Sequence, residues 1–193
     1  MNAFTTSIDP RTFRDVLGCY PTGVSVITSL YEGVRVGMAV GSFTSISLDP
    51  PLVGFFPGKA SRSWQRIEQS GRFCVNVLAG HQIDLCKHFA SKIDDKFADL
   101  SHGKSPSGLP VIDDAVAWID CRIQDVIEIG DHYLVVGAVE ALSRGDTHQP
   151  LVFLRGNYCA TSLQDQRAQV ELPGVRTRMA RNLPAKREER QGC

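Results

Sequence analysis

Gly37-Met38-Ala39-Val40-Gly41-Ser42-Phe43-Thr44-Ser45-Ile46-Ser47-Leu48-Asp49-Pro50-Pro51 is the stretch on which the fold turns. Read as a strand, it puts Met38, Val40, Ser42, Thr44, Ile46 and Leu48 on one face. Ala39, Gly41, Phe43, Ser45 and Ser47 share the other. That second face is mostly very small and carries hydroxyls. A flat ligand could lie against such a backbone and take hydrogen bonds from its N–H groups. Equally, it suits a barrel strand whose neighbours crowd in. The pattern leaves both readings open.

Strands dominate on either side. Gly23–Leu30 is rich in Val, Ile and Thr, Tyr31-Glu32-Gly33 reads as a turn, and Val34–Met38 continues as the hairpin partner. Arg72–Leu78, Ala117–Ile129 and His132–Leu142 alternate with period two. Glu128-Ile129-Gly130-Asp131 joins the last two as a long hairpin, and Val152–Tyr158 is a final strand. Short amphipathic helices fit Pro10–Leu17 after Asp9 as cap, Arg62–Gln69 after Ser61, and Gln82–Ala90. About seven strands with helices at the connections predict a mainly β chain, an antiparallel barrel with short helices.

The 193 residues suit one domain with a tail, residues 1–163 and 164–193. Lys+Arg and Asp+Glu balance at 21 each, so no global field holds nucleic acid or an anionic membrane. No apolar run is long enough to span a bilayer, and the N-terminus lacks the pattern of a secretory signal. Residues 164–193 hold seven basic and four acidic residues, a net +3 that leaves −3 for the rest. That segment is poor in large apolar residues and reads as disordered. It has no aromatic residue to stack on bases, which argues against nucleic-acid binding there. The six cysteines form no Cys-x-x-Cys pair, and Cys74 and Cys121 lie in apolar strands, as expected of reduced thiols in the cytoplasm.

Familiar catalytic devices are missing. There is no Gly-x-Gly-x-x-Gly fingerprint, P-loop or Gly-x-Ser-x-Gly elbow. Cys86 and His88 are two positions apart on a helix and diverge, so no metal site is expected. Asp94-Asp95 and Asp113-Asp114 read as solvated loop charges. Phe56-Pro57-Gly58-Lys59-Ala60-Ser61-Arg62-Ser63-Trp64 is more informative. It is a loop entering a helix, with Lys, Arg and Ser at its mouth. Free N–H groups and the positive dipole end there suit a phosphate. The plainer reading is an ordinary Ser cap with a solvated Arg.

Several motifs in order carry a resemblance. They are Pro21–Thr28, Gly37–Phe43, Ser45–Val53, Ser61–Trp64, Gly71–Leu78, Gly130-Asp131-His132 and Pro150–Tyr158. Over roughly residues 10–160 the chain resembles the flavin reductase-like family, whose fold is the split β-barrel. It looks most like the small reductase components of two-component aromatic monooxygenases. Ser7–Arg14 and Ser61–Leu78 look especially like the reductase partner in steroid-ring hydroxylation.

The resemblance implies a site. Arg35, Val36, Gly37, Met38, Ala39, Gly41 and Ser42 would line a flavin, FMN or FAD. Phe56, Pro57, Gly58, Arg62 and Ser63 would reach its ribityl and phosphate part, and His88 and Phe89 would add contacts. Asp131-His132 with Phe153, Leu154, Arg155 and Gly156 would face NADH or NADPH. Family members often carry Thr and Asn where this chain has Ala39 and Gly41, so the resemblance puts two side-chain hydrogen bonds in question and implies either a looser flavin site or exchange between FMN and FAD. The implied activity is NAD(P)H:flavin oxidoreduction, a hydride passing between cofactors, so no catalytic side chain is required. A homodimer and a separate oxygenase that takes the reduced flavin are implied as partners. The alternative on the same fold is a non-enzymatic flavin-binding electron carrier.

Overall fold

The computed structural model describes residues 8–145 and 149–161. The expected disorder of residues 164–193 lies outside them.

Helix α1 spans Pro10–Leu17. Its start is set locally: the Asp9 carboxylate accepts the Thr12 N–H at 2.9 Å and Pro10 fills the first turn. Strands β1 (Thr22–Gly23), β2 (Ser25–Tyr31) and β3 (Val34–Val40) follow. Glu32 and Gly33 both have positive φ, 50° and 78°, the geometry of a tight hairpin between β2 and β3. Then come β4 (Thr44–Leu48), β5 (Pro51–Phe55), α2 (Arg62–Ser70) and β6 (Arg72–Val77). Ser61 Oγ accepts the Trp64 N–H at 3.2 Å, and Gly71 ends α2 in the left-handed conformation. Helix α3 (Ile83–Ala90), the short pair β7 (His102–Lys104) and β8 (Pro110–Ile112), and the long hairpin β9 (Ala117–Ile129) and β10 (His132–Arg144) complete the centre. Strands β11 (Leu151–Leu154) and β12 (Asn157–Ala160) are last.

Seven strands form one antiparallel sheet in the order β3-β2-β6-β9-β10-β5-β4. Its two edges, β3 and β4, are joined by only Gly41-Ser42-Phe43, so the sheet curls back on itself and stays split between them. The inner face buries Ile27, Phe55, Phe73, Val75 and Val135, and α2 plugs this interior with Trp64 and Ile67. Phe55 meets both Trp64 and Phe73 edge to face, at 5.8 and 5.1 Å. The opposite face of β2 carries a second core, where Val26, Leu78 and Leu151 pack with Cys86 and Phe89 of α3. A buried amide ties the layers: Asn76 Nδ2 donates to Val26 O, and its Oδ1 accepts the Ile112 N–H at 2.8 Å.

Three expectations are corrected. The stretch 37–51 is not one strand. It breaks at Gly41-Ser42-Phe43, because Ser42 Oγ leaves the strand to accept the Phe56 N–H at 3.0 Å. A register shift between Ser45 and Ser47 then ends any common face with β3. Gly23–Leu30 is divided at Val24, where the chain passes from the small β1-β11-β12 sheet to the large one. Val152–Tyr158 is a hairpin, with Arg155 and Gly156 at φ 50° and 78° in its turn.

Candidate functional site

An edge strand exposes a row of unpaired backbone N–H and C=O groups. Here β3 is that strand, and a cavity of about 480 Å³ lies along it. That volume suits a small organic ligand. Arg35 to Ala39 form one wall, the start of α2 a second, and the end of α3 with the following loop a third. At Gly37 the small residue of β3 answers to close packing. A Cβ at Gly37 would stand 2.6 Å from Phe89 Cε1, so the strand face is filled by α3. The open edge, not that face, borders the cavity.

The charge of the cavity is one-sided. Arg35, Arg62, Arg66, Lys92 and Lys96 line it against the single carboxylate of Asp94. None of these five cations makes an ion pair among the described residues. Arg62 and Ser63 stand in the first turn of α2, where backbone N–H groups are free and the helix dipole is positive. Arg66 follows Arg62 by one helical turn. Arg35 lies over the Phe97 ring at 5.7 Å and donates to His102 Nε2 at 3.0 Å. Lys96 Nζ donates to the carbonyls of Gly37 at 3.3 Å and Phe89 at 2.7 Å, and burial holds its ammonium below the usual lysine range.

Of the residues the resemblance implies for a flavin, Arg35, Val36, Gly37, Met38, Ala39, Arg62, Ser63 and Phe89 line the cavity. The other residues expected to contact a flavin do not line it. Gly41 abuts Thr22, whose Oγ1 would be 3.0 Å from a Cβ there. Ser42 holds Phe56, and Pro57 O accepts the Tyr133 N–H at 3.0 Å. Gly58 bridges to His132. His88 turns to the Lys96 carbonyl, 3.1 Å from Nε2, and so braces the loop that carries Lys96.

The residues expected to face NAD(P)H fall in two places. His132 is half exposed, with Nδ1 2.6 Å from Asp131 Oδ1. Hydrogen bonding to His132 lowers the Asp131 carboxyl below its usual range. Phe153 pairs with Thr22 across β11 and β1, and the Arg155 N–H is donated to Gly18 O at 2.8 Å. No hydrogen bond or ion pair links His132 to Phe153, Leu154, Arg155 or Gly156 among the described residues. Phe153 does lie near the Gly41 end of β3, through Thr22.

Sequence reasoning missed Arg66, Lys92, Lys96 and Asp94 at the cavity. Arg66 carried a usable signal, since it shares a helical face with Arg62. Lys92, Asp94 and Lys96 sit on the loop after α3, whose return to β3 no local pattern announces.

Known proteins share this architecture. The profile of the flavin reductase like domain matches residues 17–162. A protein of Pseudomonas putida named flavin reductase is 52% identical over 154 residues, 79% of this chain and 91% of that one. The HsaB reductase subunit of a flavin-dependent monooxygenase from Mycobacterium tuberculosis is 51% identical over 156 residues, 80% of this chain and 83% of that one. The structure of Streptomyces globisporus SgcE6, an NADH:FAD oxidoreductase solved with NAD and FAD fragments, superposes with a TM-score of 0.75 at 34% identity. It covers 80% of this chain and 96% of that one. With most of its length matched in sequence and in fold, the chain belongs to the flavin reductase-like domain family.

Proposed function

We propose that this protein is an NAD(P)H:flavin oxidoreductase that supplies reduced flavin to a separate oxygenase. One observation carries the reading: an open strand edge and a helix N-terminus meet in a cavity with five cations and one carboxylate. That is a place for a flat polar ring with a phosphate at one end. The names of the relatives, flavin reductase and monooxygenase reductase subunit, support it.

A bound flavin supplies an acceptor for the nicotinamide hydride. The chain binds and orients. Arg62, Ser63 and the free N–H groups of α2 hold the phosphate. The β3 edge offers donors and acceptors to the polar rim of the ring, and Ala39 and Gly41 add no side-chain hydrogen bond. A flavin held this way exchanges readily. The dinucleotide enters at the Gly41 end of β3, near Phe153, with His132 beside Gly58 as a separate contact. No side chain here is needed as acid or base.

A second copy of the chain covers α1. Phe13, Val16 and Leu17, with Tyr20 beyond, leave the helix with no buried residue, and Phe13 and Leu17 are 51% and 55% exposed. The reading is a homodimer. It is assigned to the cytoplasm, since all five described cysteines are free. No helix among the described residues is long and apolar enough to cross a membrane. By its resemblance to aromatic monooxygenase reductases, the oxygenase partner acts on an aromatic substrate.

The test is NADH consumption by the purified protein with and without added flavin. Turnover that requires added flavin supports the proposal. A tightly yellow protein inert to NADH would favour the electron carrier.

A further inference from the structure

Arg35 lines the cavity but is held from behind. Its guanidinium lies over the Phe97 ring, 5.7 Å from the centroid, and its Nη1 donates to His102 Nε2 at 3.0 Å. His102 meets the same ring edge to face at 5.8 Å, and Phe97 in turn meets Phe89 at 5.2 Å. Phe97 and Phe89 are both buried in the second core, so the surface under the guanidinium is fixed. His102 stands on β7 and lines no wall of the cavity. Its strand is anchored in turn: Ile112, the register partner of His102 on β8, gives its N–H to buried Asn76. The partners also dictate the tautomer. A guanidinium has donors and no acceptor, so Nε2 must be unprotonated to receive it. The proton of the neutral ring is then on Nδ1, where Gly103 O accepts it at 2.9 Å.

We propose that neutral His102 is a positioning residue, which fixes the Arg35 guanidinium at the cavity and so raises the affinity for flavin without touching it. The proposal rests on the flavin reading of the cavity. Arg35 is exposed, and a long exposed side chain gives up rotamer freedom when it meets a ligand. A guanidinium already clamped between the Phe97 ring and His102 has less to give up. One of its N–H groups goes to His102, and it makes no other hydrogen bond among the described residues. The remaining donors of its planar fork are free for an oxygen of the ligand. The short β7–β8 pair thus reaches the cavity through Arg35 alone.

Titration of the full chain with FMN, followed by flavin fluorescence, tests it. His102→Phe keeps a ring against Phe97 and removes the acceptor, and it should weaken FMN about five- to tenfold. His102→Leu should show the same loss without the ring. His102→Gln, whose amide oxygen can still accept from Arg35, should stay within about a factor of two of the unaltered protein. Arg35→Ala should lose at least as much as His102→Phe. Adding His102→Phe to Arg35→Ala should then cost less than about a further factor of two, as expected of two residues that act through one contact. Unchanged FMN affinity in both His102→Phe and His102→Leu overturns the proposal while flavin binding stands. So does a loss in His102→Gln as large as theirs, or a full second loss in the double variant. If the unaltered protein binds no flavin, the reading of the cavity fails, and the proposal with it.

Discussion

Arg62 lines the cavity and His132 stands beside Gly58 outside it, and their variants should separate the two proposed substrates. Arg62→Ala removes a charge-assisted contact to phosphate, about 1.5–3 kcal/mol by the usual strength of such bonds. Flavin KM should rise roughly ten- to hundredfold with little change for NADH. His132→Ala should do the reverse. Steady-state kinetics with each substrate varied in turn checks both, and equal losses for flavin and NADH in the two variants would contradict the site map. The cysteines answer to a different measurement. Burial, with the Asp120 carboxylate nearby, pushes the Cys74 thiol up to about 12, and burial raises Cys121 and Cys86 as well. The thiolate is the reactive form, so these three stay inert near neutral pH. At about pH 9 an alkylating reagent should modify exposed Cys19 and leave Cys74 and Cys121 unmodified until the protein unfolds. Peptide mass spectrometry reads this directly.

The elements differ in how openly the sequence declares them. Helix α1 was legible to its ends, because Asp9 and Pro10 are local signals that need nothing from the rest of the chain. The long hairpin of β9 and β10 was legible too, from period-two alternation around Gly130-Asp131. The break at Val24 was not, since the same β-branched run continues through a change of sheet. Nor was the end of β3, which depends on Ser42 reaching Phe56 fourteen positions away. Of the site, the β3 and α2 contributions were readable because each is one continuous segment. The Lys96 loop was not, as only α3 packing against β3 brings it home. Close packing also sets a stability test. Gly137 on β10 leaves room for Phe73: a Cβ there would sit 2.4 Å from its Cζ. Gly137→Ala should cost about 1–3 kcal/mol through overpacking, seen as a lower midpoint in urea with an unchanged slope.

At the scale of the whole molecule, the split between β3 and β4 matters most. A closed sheet would leave no free edge, and the cavity would lose its backbone wall. The opening is bounded on one side by the α2 N-terminus and on the other by the loop after α3. The amphipathic α1 adds a requirement of its own. Phe13→Asp with Leu17→Asp should turn a dimer into a monomer in light scattering and leave the fold intact, since neither side chain is buried in the single chain. A protein that is already monomeric at micromolar concentration with flavin bound would contradict the assigned interface. The central claim is that this chain moves a hydride from a nicotinamide to a flavin held on that edge, and anaerobic rapid mixing tests it most directly. Protein and flavin mixed with NADH in the absence of oxygen should lose the oxidised flavin absorbance, one flavin reduced for each NADH oxidised and far faster than without protein. Flavin that stays oxidised in the presence of the protein, at the rate of free NADH and flavin alone, would contradict the account.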